Sequence, residues 1–175
     1  GFDYLGEPTP YWWPSRSSFF GIVDLAGIPK DVYYMYQSEW TDTPVLHLFP
    51  HWNWKKGETV DVWAYYNRAD EVELFLNGES LGVKSKPDDA FHVCWRVPFT
   101  PGTLKAVSRR DGKEVLTREI RTAGEPARIM LIPDRSALHA DGTDLSFVTV
   151  EIQDKDGNLV PVSYTHLTLP TNREV

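Results

Sequence analysis

Two carboxylates, Asp3 and Glu7, stand among Phe2, Tyr4, Tyr11, Trp12 and Trp13 at the start of the chain. Pro8, Pro10 and Pro14 stiffen the same stretch. Carboxylates accept hydrogen bonds from hydroxyls, and aromatic faces stack on sugar rings, so this mixture suits a carbohydrate pocket. It equally suits a proline-rich surface loop with its aromatics tucked beneath. The separation of four also fits a carboxylate pair for acid and base work. Arg16 offers either acid an ion partner. Elsewhere the titratable residues point to less. His47 and His51 lie four apart, but Pro50 intervenes and the segment reads as a strand, so no metal site is expected. Asp154-Lys-Asp-Gly-Asn158 faintly suggests a calcium loop, yet Thr165 stands where the twelfth-position Glu belongs, and a hairpin turn is expected. There is no glycine-rich phosphate loop and no legible cofactor site.

The elements that must position these residues follow from the patterning. Phe2–Leu5 is short, apolar and aromatic, as a buried parallel strand would be. Glu7–Ser18 reads as a long loop, and Phe19–Leu25 as an apolar segment running into a turn at Gly27–Lys30. Asp31–Trp40 is predicted to be helical, with Val32, Met35, Tyr36 and Trp40 on one face. Pro29 and Asp31 suit its start. From Pro44 to about Thr122 the period changes to that of strands. Segments at 45–49, 59–66, 71–76, 81–83, 91–99, 103–109 and 113–120 alternate between turn signals. Asn77-Gly78 and Asp111-Gly112 are hairpin turns. Seven such strands predict an immunoglobulin-like sandwich. Cys94 and Trp95 are not antibody landmarks there, because no second cysteine exists. Ala123–Pro126 reads as a linker. Ala127–Ile132 and Leu145–Ile152 begin another sandwich with room for two or three strands, too few to close a core alone.

The bulk properties exclude several classes. A net charge of −7 argues against a nucleic-acid partner. No apolar run approaches the roughly 20 residues of a membrane helix. One cysteine in 175 residues permits no intrachain disulfide. Oligomeric state and compartment are left open.

The residues 1–40 carry a longer pattern. Gly1–Tyr11, Pro14–Ser18, Phe20–Asp31 and Tyr33–Trp40 together resemble the end of the catalytic barrel of glycoside hydrolase family 2, the β-galactosidase and β-glucuronidase group. The resemblance implies that Phe2–Leu5 is the eighth strand of a (β/α)8 barrel and that Asp31–Trp40 is its closing helix. It implies β-sandwich domains after them, in the order seen. The expected fold is therefore mainly β. Residues 1–43 end a TIM barrel, 44–122 form an immunoglobulin-like sandwich, 123–161 start a truncated second one, and 162–175 are a non-native tail. The last expectation arises because the tail resembles a translated sequencing-library transposon adaptor, whose sequence is one of those that can encode Ser163–Thr171.

The family resemblance also bears on chemistry. It implies a retaining exo-β-glycosidase that uses two glutamates, one as acid and one as nucleophile. Both are implied to lie on strands before Gly1, so no catalytic residue is expected here and the isolated chain is expected to be inert. Asp3, Glu7, Trp12, Arg16 and Phe20 are the expected substrate-binding residues, with no metal and no cofactor. Asp3 and Glu7 are left between bonding sugar hydroxyls and bonding barrel backbone or Arg16. Trp12 is left between stacking on the leaving group and burial. Related β-glucuronidases carry Asn-Lys-Lys-Gly in the loop at Arg16–Gly21. The paired lysines are missing here, which favours a neutral sugar and terminal β-galactosides; β-glucuronidase and β-mannosidase are the alternatives. The competing class is a non-catalytic carbohydrate-binding or structural sandwich module, with Trp52, Trp54 and Trp63 as its platform. His51-Trp-Asn-Trp54 would put two tryptophans on one face of an extended segment.

Overall fold

A computed structural model describes residues 1–3 and 18–161 of the chain. Glu7, Trp12 and Arg16 lie outside the described residues, as does the tail 162–175. The chain divides into two compact units, Gly1–Arg121 and Thr122–Val175.

The first unit is built on seven strands: β1 (Leu46–Phe49), β2 (Thr59–Tyr66), β3 (Glu71–Leu76), β4 (Glu79–Lys84), β5 (Val93–Pro98), β6 (Thr103–Arg110) and β7 (Lys113–Arg121). They form a three-stranded sheet, β1-β2-β5, and a four-stranded sheet, β4-β3-β6-β7, both antiparallel. Alternation decides what each face meets. Val60, Val62, Ala64 and Tyr66 of β2 turn inward with Val93, Trp95 and Val97 of β5. They meet Val72, Leu74, Leu104 and Ala106 of the other sheet in one core. This is the expected immunoglobulin-like sandwich.

The turns are set by residue type. Asn77 and Gly78 both adopt left-handed φ, +53° and +86°, as a two-residue hairpin requires. The Asn77 side chain also bridges out of its turn. It donates to the Pro101 carbonyl at 3.1 Å and accepts from the Thr103 N–H at 2.8 Å.

Helix α1 (Asp31–Trp40) has the expected extent, with Val32, Met35 and Tyr36 of its apolar stripe half-buried. Trp40 is 77% exposed, and Ser38 is the helix's one buried residue. The helix meets the sandwich through Asp31 and Tyr34. Tyr34 stacks on His47 with ring centroids 3.8 Å apart, and the same imidazole meets the Asp31 carboxylate at 2.8 Å. Glu39 adds an ion pair with Lys86 at 2.8 Å.

The tryptophan platform is also corrected. Trp52 is fully buried against Phe99 in the core, while Trp54 is partly exposed and stacks on His51. Residues 50–54 are not a strand, so positions two apart do not share a face. Trp63 stacks on His92 at 4.0 Å.

The second unit contains a ribbon of β8 (Arg128–Pro133) and β9 (Val148–Gln153). Ile129, Leu131, Val148 and Val150 of these strands stand exposed. Two strands cannot bury both of their faces. The turn at Asp154–Asn158 is the expected hairpin turn, and its carboxylate organises it. Asp154 Oδ1 accepts the N–H groups of Asp156 (2.9 Å) and Asn158 (2.8 Å). Oδ2 accepts Gly124 N–H and Asn158 Nδ2, both at 2.9 Å. Both oxygens are thus taken by N–H donors, which leaves the group nothing to offer a cation. The Asn158 and Gly124 bonds hold its carboxyl far below the usual carboxylate range. Replacing Asp154 by Ala is expected to strip hydrogen-exchange protection from Gly124, Asp156 and Asn158 and to leave β2 and β3 untouched. Undiminished protection at those three amides would contradict this role.

Candidate functional site

The site is built from the chain on either side of residues 4–17. Gly1–Asp3 runs beside Ile22–Val23, with Phe2 and Val23 in a parallel bridge. Ile22 N–H donates to the Gly1 carbonyl at 3.0 Å, and Asp3 N–H to the Val23 carbonyl at 3.1 Å. The described part of Phe2–Leu5 is therefore one bridge, with Tyr4 and Leu5 outside the described residues. The chain then reverses. Asp24 Oδ1 accepts the N–H groups of Ala26 and Ile28, both at 2.8 Å, around Gly27 at φ +80°. Side-chain capping of this kind is the ordinary way Asp closes a turn. The returning segment pairs Lys30 N–H with the Ile22 carbonyl at 3.0 Å. That places the Lys30 side chain over Asp3.

Asp3 is 5% exposed, and its carboxylate is fully engaged. Lys30 Nζ lies 2.7 Å from Oδ2 and 2.9 Å from Oδ1. Gly21 N–H donates to Oδ1 at 2.8 Å. Lys30 Nζ also donates to the Phe19 carbonyl at 3.0 Å. The Lys30 bond, with that of Gly21, holds the Asp3 carboxyl below its ordinary value against the opposing effect of burial. One ammonium thus ties residue 3, just before the segment 4–17, to residue 19, just after it.

Glycine is required at position 21. A Cβ there would sit 2.3 Å from both the Asp3 nitrogen and the Phe2 carbonyl carbon. Ser18 beside it is fully buried. Phe20, by contrast, is 60% exposed.

Of the five expected substrate-binding residues, the structure describes two. Phe20 keeps more than half of its surface exposed. Asp3 bonds the Gly21 backbone N–H, with Lys30 as its cation. Lys30 and Gly21 were not singled out by residue type. The one available signal was the acid itself, because a buried carboxylate demands a counter-charge. Among the described residues no group of three His, Cys, Asp or Glu side chains is placed to hold a metal. No helix among them is long and apolar enough to cross a membrane.

Residues 129–171 match the glycoside hydrolase family 2 C-terminal domain 5, a match that runs into the tail. Residues 57–116 match a domain of unknown function (DUF4982). The β-galactosidase BoGH2A of Bacteroides ovatus is 68% identical over 161 residues, covering 92% of this chain and 19% of that protein. The chain belongs to glycoside hydrolase family 2. A β-glucuronidase of Formosa agariphila is 30% identical over 146 residues, covering 82% of the chain and 15% of that relative. Among solved structures, a β-glycosidase from Bacteroides vulgatus superposes with a TM-score of 0.84 at 41% identity, over 91% of this chain and 20% of that one. The chain thus spans less than a fifth of the length of these curated relatives.

Proposed function

We propose that this chain closes the active-site end of the barrel in a retaining exo-β-glycosidase, and that terminal β-galactosides are the substrate. The observation that carries this reading is the Lys30 latch, which fastens both ends of the segment bearing Glu7, Trp12 and Arg16. Barrel enzymes place active-site loops at the C-terminal ends of their strands, and such loops work only if their ends are fixed. On this reading Glu7, Trp12, Arg16 and Phe20 meet the sugar or the leaving group, while Asp3 holds the frame. The acid and the nucleophile come from other strands of the parent enzyme, so this chain alone turns nothing over.

Galactoside preference is supported by the 68% identical relative of that name and by the lack of paired lysines in Arg16–Gly21. The second reading, a β-glucuronidase, is favoured by relatives of that name at lower identity. A lysine pair matters because a sugar carboxylate buried without a cation costs several kcal/mol.

The test is turnover by the full parent enzyme on chromogenic β-galactoside and β-glucuronide. The galactoside is expected to be hydrolysed at least about a hundredfold better in kcat/KM. The reverse order would sink the galactoside assignment. The isolated chain is expected to hydrolyse neither. Turnover by it that disappears on Glu7→Gln would place the chemistry within these residues and overturn the proposal.

A further inference from the structure

The outward face of the four-stranded sheet holds a depression of about 620 Å³. Phe75, Lys105 and Glu119 form one row across it, being cross-strand partners on β3, β6 and β7. Their sequence neighbours Leu74, Leu104 and Ala106 point into the core, so this row faces out. Val107 belongs to the same outward set yet is only 3% exposed, which gives the depression an apolar floor. Around it, Arg109 holds Glu73 at 2.7 Å, and Glu114 accepts the Thr117 hydroxyl at 2.7 Å. Glu119 takes one bond from Arg121 at 2.9 Å.

Lys105 differs from these neighbours. It is half-buried, and its ammonium has no hydrogen bond or ion pair among the described residues. No side-chain nitrogen or oxygen is both buried and unpaired among the described residues, so this ammonium is reached by solvent and can donate to a ligand oxygen. The surrounding charges are three cations, Lys105, Arg109 and Arg121, against three acids, Glu73, Glu114 and Glu119. That balance does not attract an anion. A peptide adding as a strand would need a free sheet edge, and this is a sheet face. An aromatic ring, an apolar floor, carboxylate acceptors and one free donor together match a neutral polyhydroxylated molecule.

We propose that this face binds a neutral oligosaccharide. One ring lies over Phe75 and Val107, its hydroxyls donating to Glu119 and Glu114 and accepting from Lys105. The volume suits more than one sugar ring, since ligand pockets span about 300–1,000 Å³. The inference goes beyond the barrel reading and does not depend on it, because every residue used lies in the sandwich.

The test is an amide-shift titration of the isotope-labelled 175-residue chain with galactotetraose, cellotetraose and xylotetraose, and with tetragalacturonate as the acidic comparison. At least one neutral sugar is expected to shift Phe75, Lys105 and Glu119 with a Kd of about 1 mM. Lys105→Ala and Phe75→Ala are each expected to weaken binding about tenfold, while Arg96→Ala on the other sheet leaves it unchanged. Melting is recorded for each variant, and Lys105→Ala decides if Phe75→Ala loosens the fold. No shifts from any neutral sugar up to about 10 mM, shifts indifferent to Lys105→Ala, or tighter binding of tetragalacturonate would each overturn the proposal. Such a failure leaves the glycosidase reading standing, since that rests on turnover by the parent.

Discussion

Replacing Trp52 by Ala is expected to cost the sandwich about 3–5 kcal/mol, a large share of the 5–15 kcal/mol that holds a domain of this size together. Trp52 is the largest fully buried side chain among the described residues. It packs edge-on against Phe99 with centroids 5.3 Å apart, and its Nε1–H donates to the Thr100 carbonyl at 2.9 Å. Truncation removes the ring, empties its volume and deletes the bond, and a packed core refills such a space only in part. The measurement is the urea midpoint at unchanged slope. Trp54→Ala is the comparison. That ring is 37% exposed and stacked on His51, so its loss is expected to cost less than about 1 kcal/mol. Equal shifts for the two variants would restore the idea of a shared binding platform and contradict the burial described above.

Gly21→Ala is expected to open the frame of the candidate site while the sandwich stays folded. The added methyl would collide with main-chain atoms of Phe2 and Asp3, and main chain cannot rotate aside as a side chain does. The strand pairing at Phe2–Val23 and the Gly21 bond to Asp3 are then lost together. Exchange protection is expected to vanish at Asp3, Gly21 and Ile22 and to persist in β2 and β6. Acid provides a second route to the same state. A carboxylate with a lowered pKa contributes stability that is complete above its unfolded pKa and lost as pH falls through the folded value. The latch of the unaltered chain is therefore intact at neutral pH and opens only below about pH 4. Gly21→Ala is expected to be open already at pH 7. In the parent enzyme the same change is expected to lower kcat/KM by at least about a hundredfold, since misplacement of about 1 Å near the chemistry has that effect. Full activity in that variant would remove this frame from any functional role.

The parts of this structure that local chemistry dictates were legible. Asn77-Gly78 and Asp111-Gly112 announce their hairpins because few residues accept left-handed φ. The extent of α1 was legible from its period, but its aromatic and charged contacts with His47 and Lys86 were not. Trp52 and Trp54 were misjudged for a different reason. Alternation orders side chains only in a strand, and residues 50–54 leave the sheet. The latch was out of reach altogether. Asp3 and Lys30 are separated by 27 positions, and nothing local to either marks the other. Only the tertiary return at Asp24–Ile28 brings them together.

That latch changes what the segment between its jaws is free to become. Closing a loop costs conformational entropy that grows only as the logarithm of its length, about 0.6 kcal/mol for each doubling. Where closure is enforced by an ion pair and backbone bonds outside the loop, the intervening sequence need not supply it. Residues 4–17 can then be exchanged or lengthened with little thermodynamic consequence for the frame at Gly1–Asp3 and Ser18–Lys30. A scaffold of this kind lets lineages diversify what they recognise by rewriting one stretch of chain. It also offers the protein engineer a cassette position, where a segment from one relative is grafted into another without rebuilding the support beneath it.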